Sequence, residues 1–190
     1  MRTKIYYAGD KPSIQEIATV IAQEFKLPSE QLQPAYMPEG LPIAFIGTED
    51  KGGKPHKVAL EFINTLDPKR VAAAAIYCTS PKKSGECLKA MRAALEARGI
   101  KVLPEELVCN GKGGLFAGGK APTEEDYEAA KKFANACMNK ALEHQISAPG
   151  AAGLSQKMIL IFCELQKNSC TAAPHTNFSV SEAIFHRLMF

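Results

Sequence analysis

The sequence predicts an α/β domain in which a doubly wound parallel sheet lies between two layers of helices. Short apolar segments alternate along the chain with amphipathic segments of helical period. The clearest apolar segments are Leu41–Gly47 and Val71–Cys78, and turn residues bound both, as is typical of buried strands. The clearest helix carries apolar residues at steps of three and four: Ile14, Ile17, Ala18, Ile21 and Phe25. Because parallel strands need crossover connections, this alternation favours a three-layer α/β/α fold, although it does not fix the strand order.

The first half of the chain contains three predicted strands and two predicted helices. Lys4–Ala8 is the first strand, and Pro12 suits the first turn of the following helix, where a missing N–H costs nothing. The proline-rich stretch that comes next leaves room for a short strand at residues 32–36. Leu41–Gly47 is then the third strand. A second helix is predicted over residues 55–66, with Ala59, Phe62, Ile63 and Leu66 on one face.

The next segments complete the alternation. After the strand Val71–Cys78, a helix uses Leu88, Met91 and Leu95 as its apolar face and should end at Gly99, which suits the left-handed position after a helix. A fifth strand is predicted over residues 101–109. The segment Thr123-Glu-Glu-Asp126 is a variant of the capping box and predicts the start of the last helix.

The periodic pattern ends after Glu143, which predicts a domain over residues 1–145. Residues 147–153 are rich in alanine, glycine and proline and resemble a linker. Residues 146–190 form a C-terminal tail without sustained periodicity; it is left unassigned and could be disordered. We predict that the tail is not needed for the fold.

Composition excludes several classes of protein. The formal net charge is +3 and the basic residues are scattered, which argues against nucleic acid as a partner. The tail's longest apolar run is far too short for a membrane span. The first residues run directly into a predicted strand without an apolar h-region, so we expect no secretory signal and a cytoplasmic protein without a membrane partner. Six cysteines occur without metal-ligand spacing, which favours reduced thiols and no metal site.

Four segments resemble the flavodoxin-like family, and together they extend over roughly residues 3–143. The segment IYYAGDKPSIQEIATVIAQEF is similar to the family's first strand, phosphate loop and first helix. FIGTEDKGGKPHKVALEFINTL resembles its third strand, the loop beside the flavin and the next helix. IYCTSPKKSGECLKAMRAALEARGIKV and GGKAPTEEDYEAAKKFANAC resemble the fourth strand with its loop and helix, and the closing loop with the last helix. One departure is the region 28–40, which is too short for the family's full second helix.

The resemblance implies the strand order 2-1-3-4-5, FMN as cofactor, and an electron-transfer or reductase role. The phosphate would lie on the first loop, at Gly9, Asp10, Lys11 and Ser13. The ring would lie against the loops after the third, fourth and fifth strands, at Thr48, Gly52, Gly53, Thr79, Ser80, Gly113, Gly114 and Phe116. A redox protein is then an expected partner. No side chain is a convincing acid, base or nucleophile, so no catalytic residue is predicted.

The residues of these loops predict that FMN binds only weakly. The first loop has one hydroxyl, Pro12 donates no N–H, and Asp10 would repel a phosphate that Lys11 attracts. The loops after the third and fourth strands contain no aromatic residue to stack on the ring. A flavodoxin-fold binding module that has lost the flavin, or that binds another small anion, is therefore the alternative function.

Simpler interpretations of the same residues stay open. Gly9–Ser13 could be an ordinary turn with Ser13 or Asp10 capping the helix, and Ser80 or Ser84 could cap the helix after the fourth strand. Cys78 and Cys109 end neighbouring strands, so they are either two small buried side chains or a pair close enough for a disulfide. A receiver domain and a low-molecular-weight phosphatase are excluded, because Thr48 follows the third strand and no loop combines a cysteine with an arginine.

Overall fold

The computed structural model describes residues 2–33, 38, 40–112 and 119–146, with side chains up to residue 141. Its strands are β1 (Thr3–Ala8), β2 (Ser29–Gln31), β3 (Leu41–Glu49), β4 (Val71–Ser80) and β5 (Lys101–Asn110). Its helices are α1 (Pro12–Glu24), α2 (Lys57–Thr65), α3 (Glu86–Ala97) and α4 (Glu124–Ile146). The elements follow one another in the predicted order, including the direct succession of β2 and β3 with no helix between them.

The five strands form one sheet in the order β2-β1-β3-β4-β5, and all four pairings are parallel. This confirms the predicted flavodoxin-like order. The chain first adds β2 on one side of β1 and then crosses to add β3 on the other side. The order therefore reverses at β1 and β3, whose carboxyl ends lie next to each other.

Two hydrophobic cores cover the two faces of the sheet. One core contains Phe62 of α2 and Leu88 of α3, packed on strand residues such as Ile46 and Ile76. The other contains the α1 face and α4 residues such as Phe133, packed on Phe45 and Tyr77. Residues that alternate along each strand thus point into opposite cores, which is what a parallel strand covered on both sides requires.

Several predicted boundaries move by a few residues. β2 lies at residues 29–31, before the predicted range 32–36; residues 32 and 33 are not in a strand, and residues 34–36 fall outside the described part of the chain. β3 and β4 extend two residues further than predicted, because Thr48 and Glu49 still pair with Cys78 and Thr79. Thr48, Thr79 and Ser80 are therefore strand ends and not loop residues.

The chain divides into the units Met1–Gln145 and Ile146–Phe190. The domain over residues 1–145, with the tail dispensable, stays a prediction, because the tail from residue 147 onward lies outside the described residues. No helix among the described residues is both long and apolar enough to cross a membrane.

Candidate ligand site at the carboxyl edge of the sheet

In an open parallel sheet, ligands bind beyond the carboxyl ends of the strands, where the strand order reverses. Here that point lies between the loop after β1, which contains Gly9 and Asp10, and the loop after β3, which starts at Asp50. The predicted site residues that the structure describes all lie in the loops or strand ends of this edge. Gly113, Gly114 and Phe116 lie outside the described residues.

The first loop leads into α1 without a side-chain cap from either predicted residue. Lys11 is the N-cap, its side chain makes no capping hydrogen bond, and Pro12 is the first helical residue. Ser13 is buried, and its hydroxyl accepts a long hydrogen bond (3.4 Å) from the backbone N–H of Lys112. The prediction that Ser13 or Asp10 caps this helix is wrong, since Ser13 lies inside the first turn and Asp10 pairs elsewhere.

Asp10 points away from the start of the helix. Its carboxylate lies 3.0 Å from Lys51 Nζ and 3.5 Å from His56 Nε2. The hydrogen bond and the charge of Lys51 lower the pKa of Asp10, and so does the charge of His56. Asp10 is thus a largely exposed acid that ties the first loop to the loop after β3.

Glu49, which the sequence did not single out, lies at the centre of this edge. Its side chain is only 4% exposed, and Oε1 lies 2.8 Å from the ammonium of Lys11. Oε2 accepts a hydrogen bond of 3.1 Å from the backbone N–H of Asp10. The Glu49 carboxylate therefore lies in the first loop and uses the Asp10 N–H and the Lys11 ammonium, which belong to the residues that were predicted to hold a phosphate. Its only sequence signal is an acid two residues beyond the predicted end of a buried strand, at Gly47.

A second buried acid, Asp50, closes the loop after β3. Oδ1 accepts from the backbone N–H of Gly53 at 2.6 Å, and Oδ2 accepts from the hydroxyls of Ser80 at 2.6 Å and Ser84 at 3.3 Å. An isolated bridge between Asp50 and Pro55 narrows the loop further. The loops after β3 and β4 are thus bonded to each other through one carboxylate.

These contacts use groups that were predicted to face the flavin ring. Gly53 N–H and the Ser80 hydroxyl both donate to Asp50. The Thr48 hydroxyl accepts from the backbone N–H of His56 at 2.8 Å, and the Thr79 carbonyl accepts from the N–H of Asp50 at 2.9 Å. Gly52 is exposed, with a φ of 68° and no other atom within 4 Å of where a Cβ would stand. Of the predicted ring contacts in the described loops, Gly52 has the most open surroundings.

A third buried acid, Asp126, lies in the first turn of α4 and bonds to residues at both ends of the loop between β5 and α4. It accepts from the backbone N–H and the hydroxyl of Thr123, as in a capping box, and from the side chains of Lys83 and Asn110. Burial favours its neutral form, but the hydrogen bonds from Thr123, Lys83 and Asn110 outweigh burial and lower the pKa of Asp126 to about 2. The half of the predicted capping box in which Asp126 accepts from Thr123 is therefore present, and the same carboxylate also ties α4 to β5 and to the loop after β4.

Cys78 and Cys109, which the sequence analysis considered as a possible disulfide pair, do not face each other across the sheet. Cys78 is the register partner of Val108, and Thr79 is the partner of Cys109, so the two cysteines are offset by one residue in the strand register. One residue of offset points two side chains to opposite faces, and the thiols indeed lie in different cores. A Cys78–Cys109 disulfide is excluded because the sheet lies between the two sulfurs.

FMN does not fit the described residues in this arrangement. A phosphate dianion on the first loop would meet the buried Glu49 carboxylate, and the hydrogen bonds of Asp50 join the two loops that should hold the ring. Binding at this edge requires that the ligand keep its phosphate away from Glu49 or that these loops open.

Comparison with known proteins identifies the fold. No protein-family model matches the chain, and no curated protein matches its sequence. The flavodoxin of Streptococcus pneumoniae TIGR4 matches with a TM-score of 0.54 and 16% identity, over 73% of this chain and 98% of that one. A WrbA-like flavodoxin protein from Agrobacterium tumefaciens matches with a TM-score of 0.56 and 12% identity, over 75% and 98%. The oxidised flavodoxin 2 of Bacillus cereus gives 0.54 and 17%, over 74% and 99%. At such identities the likeness shows the fold alone.

Proposed function

Because the chain has a flavodoxin-like fold, we propose that it binds a flavin at the carboxyl edge of its sheet and acts in electron transfer or as a flavin-dependent reductase. The observation that carries this proposal is the strand order, which brings the carboxyl ends of β1 and β3 together where the order reverses. A bound flavin would supply the redox chemistry, and the chain would bind and orient it.

The expected affinity is low. Glu49 removes the first loop's attraction for phosphate, since it already holds the Asp10 N–H and the Lys11 ammonium. Two missing aromatic partners weaken ring binding further, because each such contact contributes roughly 0.5–1.5 kcal/mol beyond area burial. The loss of both aromatic contacts alone lowers the affinity for the flavin by about one to two orders of magnitude, since each 1.4 kcal/mol is roughly tenfold. We expect dissociation constants in the micromolar range or weaker.

Exposed lysines at the same edge support a ligand with some negative charge, either a flavin or another small anion. Lys51, Lys54 and Lys82 are exposed on the loops after β3 and β4. The overall charge of +3 differs from the acidic surface that would steer a shuttle flavodoxin to basic partners. A dedicated reductase with its own redox protein partner is therefore the role we favour over a general electron shuttle.

A second candidate function is a flavodoxin-fold binding module without flavin. The flavodoxin neighbours do not favour it, but the buried contacts of Glu49 and Asp50 do, because they fill the positions of phosphate and ring with groups of the chain itself. The two candidates differ in one property that is easily measured, which is whether any flavin binds.

The test is the absorbance of the purified protein, followed by titration with FMN and riboflavin. We expect a colourless or faintly yellow protein that quenches the fluorescence of both flavins at micromolar levels or above. Tightly bound stoichiometric flavin would show that the site is stronger than its contacts indicate. No quenching at near-millimolar flavin would overturn the proposal and leave the flavin-free module.

Lys11→Ala sharpens this test, with Lys69→Ala as the matched control, because Lys69 is exposed and precedes β4 at the opposite edge of the sheet. Without the Lys11 ammonium, the buried charge of Glu49 is no longer balanced, so FMN should lose more affinity than riboflavin. Lys69→Ala should change both affinities by the same small factor. Equal losses of FMN and riboflavin affinity in the Lys11 variant would contradict the claim that the Lys11–Glu49 pair acts on the phosphate.

A further inference from the structure

We propose that Glu49 is a specificity-determining residue that makes this edge of the sheet reject a terminal phosphate, so that an unphosphorylated ligand binds at least as well as its phosphate ester. For flavins the inference rests on the proposed function. For inorganic phosphate it stands by itself.

The first step concerns the position of the Glu49 carboxylate beside Gly9. A Cβ at Gly9 would lie 2.9 Å from Glu49 Cβ and 3.1 Å from Glu49 Oε2, so any larger residue at position 9 would collide with Glu49. The same Cβ would lie 2.9 Å from Ile14 of α1. Gly9 thus permits β3 and the first loop to approach closely enough for Glu49 to enter the loop.

The second step concerns the charges. Lys11 Nζ lies 2.8 Å from Glu49 Oε1 and also donates to the backbone carbonyl of Lys112 at 2.7 Å, which holds the ammonium over the carboxylate. The backbone N–H of Asp10 donates to Oε2. The Glu49 carboxylate therefore already balances the charge of Lys11 and already accepts the hydrogen bond of the Asp10 N–H.

The third step follows from burial. The Glu49 side chain is 4% exposed, so water screens its charge poorly, and a phosphate at the loop would have to take the Lys11 ammonium away from this carboxylate. The ligand would have to displace Glu49 or bind beside a like charge. A neutral ligand group meets no such repulsion, and the discrimination therefore acts on the phosphate alone.

The test compares the wild type with Glu49→Gln and the control Glu86→Gln. Glutamine keeps the size of Glu49 and an oxygen for the Asp10 N–H but carries no charge. Glu86 is an exposed acid at the start of α3 on the same edge of the sheet, so its variant makes the same change in net charge. The probes are FMN, riboflavin and inorganic phosphate, with flavin fluorescence and amide NMR shifts of the Gly9–Ser13 loop as readouts.

For Glu49→Gln we expect FMN affinity to rise by about tenfold or more while riboflavin affinity stays within about twofold. Inorganic phosphate should then shift the loop amides and compete with FMN, neither of which we expect in the wild type or in Glu86→Gln. Equal changes for both flavins, no change for either, or phosphate competition in the wild type would overturn the inference.

The inference and the proposed function fail in different ways. If no variant binds any flavin, the proposed function is wrong, and the phosphate-induced amide shifts in Glu49→Gln still decide the role of Glu49. If Glu49→Gln does not fold, Glu49→Thr takes its place, because threonine is neutral and suits a strand end. The absence of phosphate-induced shifts in the folded variant would overturn the inference.

Discussion

At the scale of single residues, Gly47 and Tyr77 are register partners, and the Tyr77 ring fills the space that a side chain at position 47 would need. The Tyr77 ring lies across Gly47, and its hydroxyl donates to the carbonyl of Tyr6 at 2.8 Å. A Cβ at Gly47 would lie 2.2 Å from Tyr77 Cζ. We therefore predict that Gly47→Ala lowers the free energy of unfolding by about 1–3 kcal/mol, as overpacking of a core does, measured by urea denaturation.

The control for this prediction is a double-mutant cycle with Tyr77→Leu, which removes the ring. In the Tyr77→Leu background, Gly47→Ala should cost less than about 1 kcal/mol. The same cost with and without the ring would show that the close approach of Gly47 to Tyr77 is not what makes glycine necessary here.

Asp126 gives the fold a defined response to acid. Because its pKa is about 2 when folded, below the unfolded value, its stabilising contribution is fully present above pH 4 or so and is lost as the pH falls through 2. The shift corresponds to about 2 kcal/mol for this buried group. We predict that Asp126→Asn lowers the free energy of unfolding by roughly that amount at pH 7, and that the difference from wild type narrows between about pH 4 and 2.

Glu128, an exposed acid two residues further along α4, is the matched control for urea unfolding across this pH range. Glu128→Gln should leave the stability difference small throughout. If Asp126→Asn lowers the free energy of unfolding by the same amount at every pH, the altered helix start and not the carboxylate charge is the cause.

At the scale of elements, register explains the behaviour of the thiols. Cys78 and Cys109 end adjacent strands, yet they lie in opposite cores because their register differs by one residue. Burial raises the pKa of Cys109 and of Cys137 to about 12. The pKa of Cys78 is raised well above its usual value by the neighbouring Cys87 and by burial.

We predict that Cys78, Cys87, Cys109 and Cys137 resist alkylation at pH 8 in the folded protein and react after unfolding in urea, because only the thiolate is reactive. Mass spectrometry of the alkylated peptides checks this. Mild oxidant should yield no Cys78–Cys109 disulfide on peptide mapping. Recovery of that disulfide from the native protein would contradict the observed sheet register.

The elements that the sequence predicted well are those with one dominant local signal. Thr123 and Asp126 are three residues apart, so the start of α4 could be predicted from the capping box, and the structure confirms it. The start of α1 at Pro12 also agrees with the sequence, but its capping could not be predicted, because Asp10 finds Lys51 and His56 far along the chain instead of capping the helix. A local pattern does not show which of its polar groups a distant loop will use.

The candidate site shows the same limit. The sequence placed its loops at the correct edge of the sheet, because the alternation of strands and helices determines which residues follow strand ends. It missed Glu49, since nothing local distinguishes an acid that turns into a neighbouring loop from one that faces water. Side-chain direction at a strand end depends on the exact last residue of the strand, and β3 is two residues longer than predicted.

At the scale of the whole molecule, the tail beyond residue 145 is predicted to be dispensable for the fold. The described residues before position 142 already form a five-stranded sheet with a hydrophobic core on each face. A chain ending at Gln145 should stay soluble and unfold in one cooperative transition, which circular dichroism during thermal unfolding would check. Aggregation or loss of cooperativity would show that part of the tail belongs to the folded domain.

The measurement that tests the flavin proposal most directly is an amide NMR titration of the full chain with riboflavin and FMN. It reports both whether a flavin binds and where. We predict weak, saturable shifts at the carboxyl edge of the sheet, at residues such as Asp10, Gly52 and Lys82, with FMN no tighter than riboflavin. The absence of shifts at near-millimolar flavin, or shifts confined to the surface between α1 and α4 around Gln15 and Tyr127, would contradict the proposal.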